Sequence, residues 1–231
     1  MGSEMCIRDR NKENHVVIGW VWPWFLFERA KSLMGLPNLI RSIFTHPKKV
    51  KELFRRIADF NIQALERFID LFDGVLVGED LGHQHGLFMS PKLIREFLIP
   101  EYQRCFEPLL KEDKIIILHS CGRIQEIIED FIELGITILN PVQARANDLE
   151  LIKQKADGKL ALWGAIDTQH VLTLGTPDDV QKEVKRVISI LAPGGGYIIA
   201  PDQQIPMPEE NERVLWAAAE KYGRYPIRPV D

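Results

Sequence analysis

Six short apolar runs punctuate the chain, each ending in a polar corner and most followed by a stretch with helical spacing. They are "HVVIGWVW" (15–22), "GVLVGED" (74–80), "IIILHSCG" (115–122), "ITILNPVQ" (136–143), "LALWGAID" (160–167) and "GYIIAPD" (196–202). Short and rich in β-branched residues, they predict strands buried on both faces. The intervening segments carry helix start signals. Thr45 precedes Pro47, Ser90 precedes Pro91, and Thr176 precedes Pro177 with two acids in the first turn. "PGGGY" (193–197) closes the helix before the last run. Strand alternating with helix predicts a parallel sheet with helices outside it.

The placement of reactive groups chooses between the two architectures of that kind. Every run ends in polar or aromatic side chains: Trp22 and Trp24, Glu79-Asp80, His119-Ser120-Cys121, Asn140 and Gln143, Asp167 and Gln169, Asp202-Gln203-Gln204. A (β/α)8 barrel collects chemistry from many strand ends onto one rim, whereas a doubly wound sheet concentrates it at one switch point with a glycine-rich turn. No G-x-G-x-x-G follows any run. The fold class expected is therefore α/β, a (β/α)8 TIM barrel. Only six strands are legible where the closed fold has eight, and 231 residues fall short of its usual ~250. The first two βα units are expected to lie outside this sequence, which leaves two unpaired sheet edges and favours self-association into a homodimer. Residues 15–231 are expected to form a single, partial barrel domain. Residues 1–14 are set apart as a non-native or disordered leader, because "MGSEMCIRDR" reads like translated adapter sequence at the end of a metagenomic contig.

Composition narrows the partners. A formal net charge of -4 and the lack of any isolated Lys/Arg cluster give no electrostatic basis for nucleic-acid binding. No apolar run approaches the ~20 residues of a membrane span, and the N-terminus has no apolar signal-peptide core. Cys6, Cys105 and Cys121 are too few for a disulfide framework, which points to a reducing cytoplasm. Cys105, on an amphipathic stretch, is expected in the core.

The strongest chemical signal is "LHSCG". Side chains two apart on a strand share a face, so His119 and Cys121 point together and Ser120 points away. An imidazole and a thiolate on one rim make half of a zinc site, since a catalytic Zn²⁺ takes three protein ligands and keeps one position open. Packing of an ordinary core His and Cys is the competing account. Glu79 and Asp80 end another run, and at least one is expected to be functional because adjacent half-buried acids are costly unless compensated. Asp167 either orients a substrate or ligand, or caps a short helical turn. Gln143, Gln169, Gln203 and Gln204 offer amides for a polar substrate. Trp20, Trp22 and Trp24 alternate, so they are expected to share one face and wall a pocket. His83 and His85 read as surface residues.

The segments "FERAKSLMGLPNLI", "GEDLGHQHGLFMSPKLIREFLIPEY", "LHSCGRI", "LGITILNPVQ", "LWGAIDTQHVLTLGTPDDV" and "PGGGYIIAPDQQIPMPEEN" occur in the order typical of one superfamily. From residue 15 to 226 the sequence resembles the uroporphyrinogen decarboxylase superfamily, which includes zinc-dependent, corrinoid-linked methyltransferases. The resemblance implies a barrel enzyme with an additional N-terminal portion. Its methyltransferase branch implies zinc on an H-x-C pair, matching His119 and Cys121, and a further Cys at the last strand's corner, where this chain reads "APDQQ". The third ligand is then expected to be an oxygen of Glu79, Asp80 or Asp202. The expected activity is methyl transfer to or from a corrinoid carried by a partner protein, acting on a small-molecule substrate. The decarboxylase branch implies a tetrapyrrole carboxy-lyase of porphyrin biosynthesis. That reaction needs cations for many carboxylates, whereas this rim is acidic and amide-rich. A catalytically silent relative that only binds a partner is the third reading.

Overall fold

All six apolar runs form strands in the computed structural model, which describes residues 15–22, 24–156 and 158–227. The leader expected over 1–14 lies outside the described residues, as does Pro23. The elements begin with β1 (Ile18–Trp22), α1 (Leu26–Met34), α2 (Leu36–Thr45), α3 (Pro47–Leu65) and β2 (Gly74–Gly78). A small hairpin of β3 (Gly82–His83) and β4 (Gly86–Leu87) follows, then α4 (Pro91–Phe97), α5 (Ile99–Lys111) and β5 (Ile115–His119). The remainder is α6 (Ile128–Glu133), β6 (Ile138–Asn140), α7 (Leu149–Ala156), β7 (Ala161–Ile166), α8 (Pro177–Leu191), β8 (Tyr197–Pro201) and α9 (Glu209–Tyr222). Among the described residues, no helix is long and apolar enough to cross a membrane.

The chain divides into two compact units. The first comprises the described residues up to Asp80 with Met89–His119 and Glu133–Ile136. Here β1, β2 and β5 run parallel, with Gly74 opposite Ile115 and Gly78 opposite His119. Val75, Val77, Ile116 and Leu118 are buried, as expected of strands covered on both faces. Phe25 stacks between Trp22, Tyr102 and Phe106, with ring centroids 5.0, 5.1 and 5.5 Å away. Such pairs add about 0.5–1.5 kcal/mol each beyond the area they bury. Cys105 lies in this core, fully buried, and burial pushes its thiol far above the ordinary range.

The shared tryptophan face does not form. Trp22 is 3% exposed, whereas Trp20 is 67% and Trp24 53% exposed. The register of β1 against β2 shifts between Gly19 and Trp22, which breaks the two-residue alternation, and Trp24 lies past the strand end.

The second unit holds Leu81–Phe88, Ser120–Ile132 and the described residues from Thr137 onward. Its strands β6, β7 and β8 are parallel, with Ile138 opposite Ala161 and Ile166 opposite Pro201. Helix α8 buries Val180, Val184, Val187 and Leu191. Thr176 caps it as the sequence predicts: its hydroxyl accepts from Asp179 N at 3.3 Å, and Asp179 Oδ2 accepts from Thr176 N at 2.9 Å. Ser90 caps α4 in the same way, accepting from Leu93 N at 3.4 Å. Thr45 does not cap α3; it is the last residue of α2 and its hydroxyl donates back to Arg41 O at 3.1 Å. The single residue between α2 and α3, His46, stands at the N-cap of α3 and makes no side-chain cap hydrogen bond. Six parallel strands, the helices between them and reactive corners at their C-terminal ends make the α/β barrel-type fold expected from the sequence.

Candidate metal centre

The two acids after β2 are divided by burial. Glu79 is fully buried. Its Oε1 accepts from Phe27 N at 2.7 Å and from the Tyr102 hydroxyl at 2.5 Å, and its Oε2 accepts from Glu28 N at 3.0 Å. Phe27 and Glu28 lie in the first turn of α1, where backbone N–H groups lack intrahelical partners. Phe25 at the helix start offers no side-chain cap, so a carboxylate from a distant strand end does that work. Burial pushes the Glu79 carboxyl up to about 7, against the pull of these three hydrogen bonds toward the ionised form.

Asp80 is the other case. Its side chain is 37% exposed, and its Oδ1 stands 3.8 Å from His119 Nε2, itself 36% exposed at the end of β5. Ser120 turns the opposite way, as the strand alternation predicts. It is fully buried, its hydroxyl accepts from Leu81 N at 3.1 Å, and its N–H donates to Asn140 O at 2.7 Å. Cys121, one residue on, is again half-buried. One ligand atom from each of Asp80, His119 and Cys121 lies within 4.8 Å of the others. Among the described residues this grouping takes in Asp80, not Glu79 or Asp202.

The corner carrying Cys121 is held tightly within the second unit. Gly122 N donates to Gln143 Oε1 at 2.5 Å. Asn147 Oδ1 accepts from Ile124 N at 2.9 Å, and its Nδ2 donates to Gly122 O at 2.9 Å. Arg123 N donates to His83 O of the hairpin at 2.9 Å. Gly122 has φ +80°, and a Cβ there would lie 2.3 Å from Gly82 C and 2.5 Å from His83 N. Glycine is required on both counts. His83 and His85 are exposed on the hairpin, as expected.

The ends of β7 and β8 form a second polar set. Asp167 is 3% exposed and accepts from Arg145 Nε, from His170 N at 3.1 Å and, on the same Oδ1, faces His170 Nδ1 at 3.3 Å. Burial opposes its ionisation, but Arg145 and His170 outweigh it and hold the carboxyl below the usual range. The capping reading of Asp167 holds, since it caps the turn Thr168–Leu172, and its carboxylate also engages the Arg145 and His170 side chains. Asp202 is buried, and burial raises its carboxyl. Its Oδ1 accepts from Thr168 N at 3.0 Å. Gln203 Nε2 donates to Cys121 Sγ at 3.1 Å.

Of the amides singled out, Gln143 is buried with its oxygen on Gly122, Gln169 and Gln204 are exposed, and Gln203 reaches the thiol. Asn147, Tyr102 and Arg145 escaped sequence reasoning. Asn147 follows the signalled "NPVQ" corner by four residues, which was the only available hint. Tyr102 and Arg145 act on residues far away in sequence and carry no local signal.

The three ligand atoms supply nitrogen, sulfur and oxygen, a set that suits Zn²⁺ with one position open. All three residues are partly exposed.

The model of the uroporphyrinogen decarboxylase (URO-D) family matches residues 7–222. Two methylcobamide:CoM methyltransferases MtaA are similar in sequence. The one from Methanosarcina barkeri is 26% identical over 192 residues, covering 79% of this chain and 53% of that protein. The one from Methanosarcina barkeri (strain Fusaro / DSM 804) is 24% identical over 195 residues, with the same coverage. The chain thus spans about half the length of these relatives. A solved methyltransferase from Methanosarcina mazei has a similar fold, with a TM-score of 0.71 at 18% identity, over 87% of this chain and 57% of that one.

Proposed function

The chain belongs to the uroporphyrinogen decarboxylase (URO-D) family, and from that premise we propose that it is a zinc-dependent methyltransferase moving a methyl group to or from a corrinoid. The observation that carries this reading is the N, S and O donor set of His119, Cys121 and Asp80, gathered within 4.8 Å at strand ends. Asp80 takes the place of a second thiolate in it. The similarity to methylcobamide:CoM methyltransferases supports the same reaction class.

Bound to these residues, zinc supplies Lewis acidity toward a thiol or a methoxy oxygen. The chain's own residues hold and shape the site. Gln143, Asn147 and the Gly82–Gly122 contact set the backbone that presents Cys121. Glu79 anchors the start of α1 beside the strand end that presents Asp80. Asp167 holds Arg145 and His170 in fixed orientations at the corner after β7, where they are half-exposed and suited to meet a polar substrate or a partner protein that carries the corrinoid. Trp24, Gln169 and Gln204, exposed at their own corners, are the other side chains proposed to meet substrate.

Decarboxylation of a tetrapyrrole is the weaker reading. Arg123 and Arg145, the arginines at these corners, are already paired with Glu126 and Asp167, and a substrate bearing many carboxylates needs cations that are not so engaged.

Metal analysis of the purified protein tests the proposal. About one zinc per chain is expected, lost in both His119→Ala and Cys121→Ser. Wild-type protein without zinc, or retention by both variants, overturns it. Turnover of uroporphyrinogen would overturn methyl transfer in favour of the lyase.

A further inference from the structure

Gln203 stands at the corner after β8, and its backbone is locked. Its N–H donates to Thr168 Oγ1 at 3.1 Å, and its carbonyl accepts from the same hydroxyl at 3.2 Å. The preceding Asp202 donates its N–H to Ile166 O at 2.9 Å and accepts from Thr168 N at 3.0 Å. With the main chain fixed, only the side-chain torsions of Gln203 need ordering for its amide to reach Cys121 Sγ, at 3.1 Å. The buried Asp202 therefore acts on this corner, not on the Asp80, His119 and Cys121 grouping.

An N–H donated to a thiolate sulfur does two things. It selects one of the staggered χ1 positions that a cysteine otherwise samples. It also draws electron density from the sulfur, which changes how strongly that sulfur donates to a metal. The carboxamide is long enough to do this; a leucine of similar volume has no donor.

We propose that Gln203 is a positioning residue of the metal centre, its amide N–H fixing the Cys121 sulfur and tuning it as a ligand. This rests on the metal-centre reading above. The hydrogen bond would act from outside the coordination shell, on a cysteine that shares its metal with an imidazole and a carboxylate.

Cobalt(II) is the probe, because thiolate ligation gives a near-ultraviolet charge-transfer band that reports on the sulfur itself. Gln203→Leu is expected to fold with an unchanged melting profile, to bind cobalt(II) about 10–100-fold more weakly, and to show a displaced charge-transfer band. Gln203→Asn, one methylene shorter, withdraws the N–H while keeping a polar corner, and is expected to change both readouts in the same direction. Should Gln203→Leu fail to fold, Gln203→Asn alone decides. Cobalt binding that His119→Ala abolishes, but that the folded Gln203 variants leave unchanged in affinity and band, overturns the role of Gln203 and spares the metal centre. Wild-type protein that takes up no cobalt overturns both.

Discussion

Replacing Glu79 by Gln should remove a pH-dependent component of stability that the wild-type protein carries between about pH 4.5 and 7. Glu79 is fully buried, and burial raises its carboxyl from 4.5 to about 7. Because the folded midpoint lies above the unfolded one, the folded state retains a proton that the unfolded chain has released. The contribution to stability is therefore fully present below pH 4.5, falls as pH rises through 7, and is level above that. Moving the midpoint from 4.5 to about 7 corresponds to about 3 kcal/mol, at ~1.4 kcal/mol per tenfold change in acidity. Urea unfolding of both proteins, followed by tryptophan fluorescence from pH 4.5 to 8.5 with chelator present, isolates this group, since the other titrating residues are common to both. The stability difference, wild type minus Glu79→Gln, should fall by about 3 kcal/mol across that range. A difference constant to within about 1 kcal/mol would refute the reasoning. It would mean that the donors from Phe27, Glu28 and Tyr102 outweigh burial and keep the carboxylate ionised throughout. Tyr102→Phe sharpens the test. It removes a donor that favours the ionised form, so the fall should move to higher pH, with a cost at pH 8 of roughly 1.5–3 kcal/mol.

Other consequences are open to simple measurement. Gly122→Ala places a Cβ 2.3 Å from the Gly82 backbone at φ +80°; a loss of about 3 kcal/mol or more in denaturant unfolding is expected, together with loss of zinc uptake. Asp80→Asn should keep the fold and weaken zinc binding at least tenfold in a competition titration with a chromophoric chelator, whereas Asp202→Asn should leave the zinc ligands intact. Thr176→Ala breaks the capping box of α8 and should cost about 1 kcal/mol of stability, read from urea unfolding.

The strands, the parallel order and the placement of polar residues at strand ends were legible in the sequence, because each depends on local patterning. Four or five β-branched or apolar residues in a row, bounded by turn residues, fit a strand covered on both faces. A Thr or Ser before a Pro marks a helix start through interactions within one turn, as at Ser90 and Thr176. The pairing of His119 with Cys121 follows from the two-residue repeat, and Ser120 points the other way as that repeat requires.

What lay beyond the sequence were the decisions made by contacts between distant residues. Glu79 and Asp80 are adjacent and chemically alike, yet one is buried under three donors from Phe27, Glu28 and Tyr102 and the other lies half-exposed beside His119. No local signal separates them, because what separates them is a helix start and a tyrosine 51, 52 and 23 residues away. The tryptophans of β1 shared a face in the pattern and not in the fold, since the register shift against β2 is a property of the pair of strands. Gln203 reaches Cys121 across 82 residues. Periodicity thus determined which residues stand at the rim, and tertiary packing alone decided which of them carry a solvent-reachable charge and which are consumed in holding the corners together.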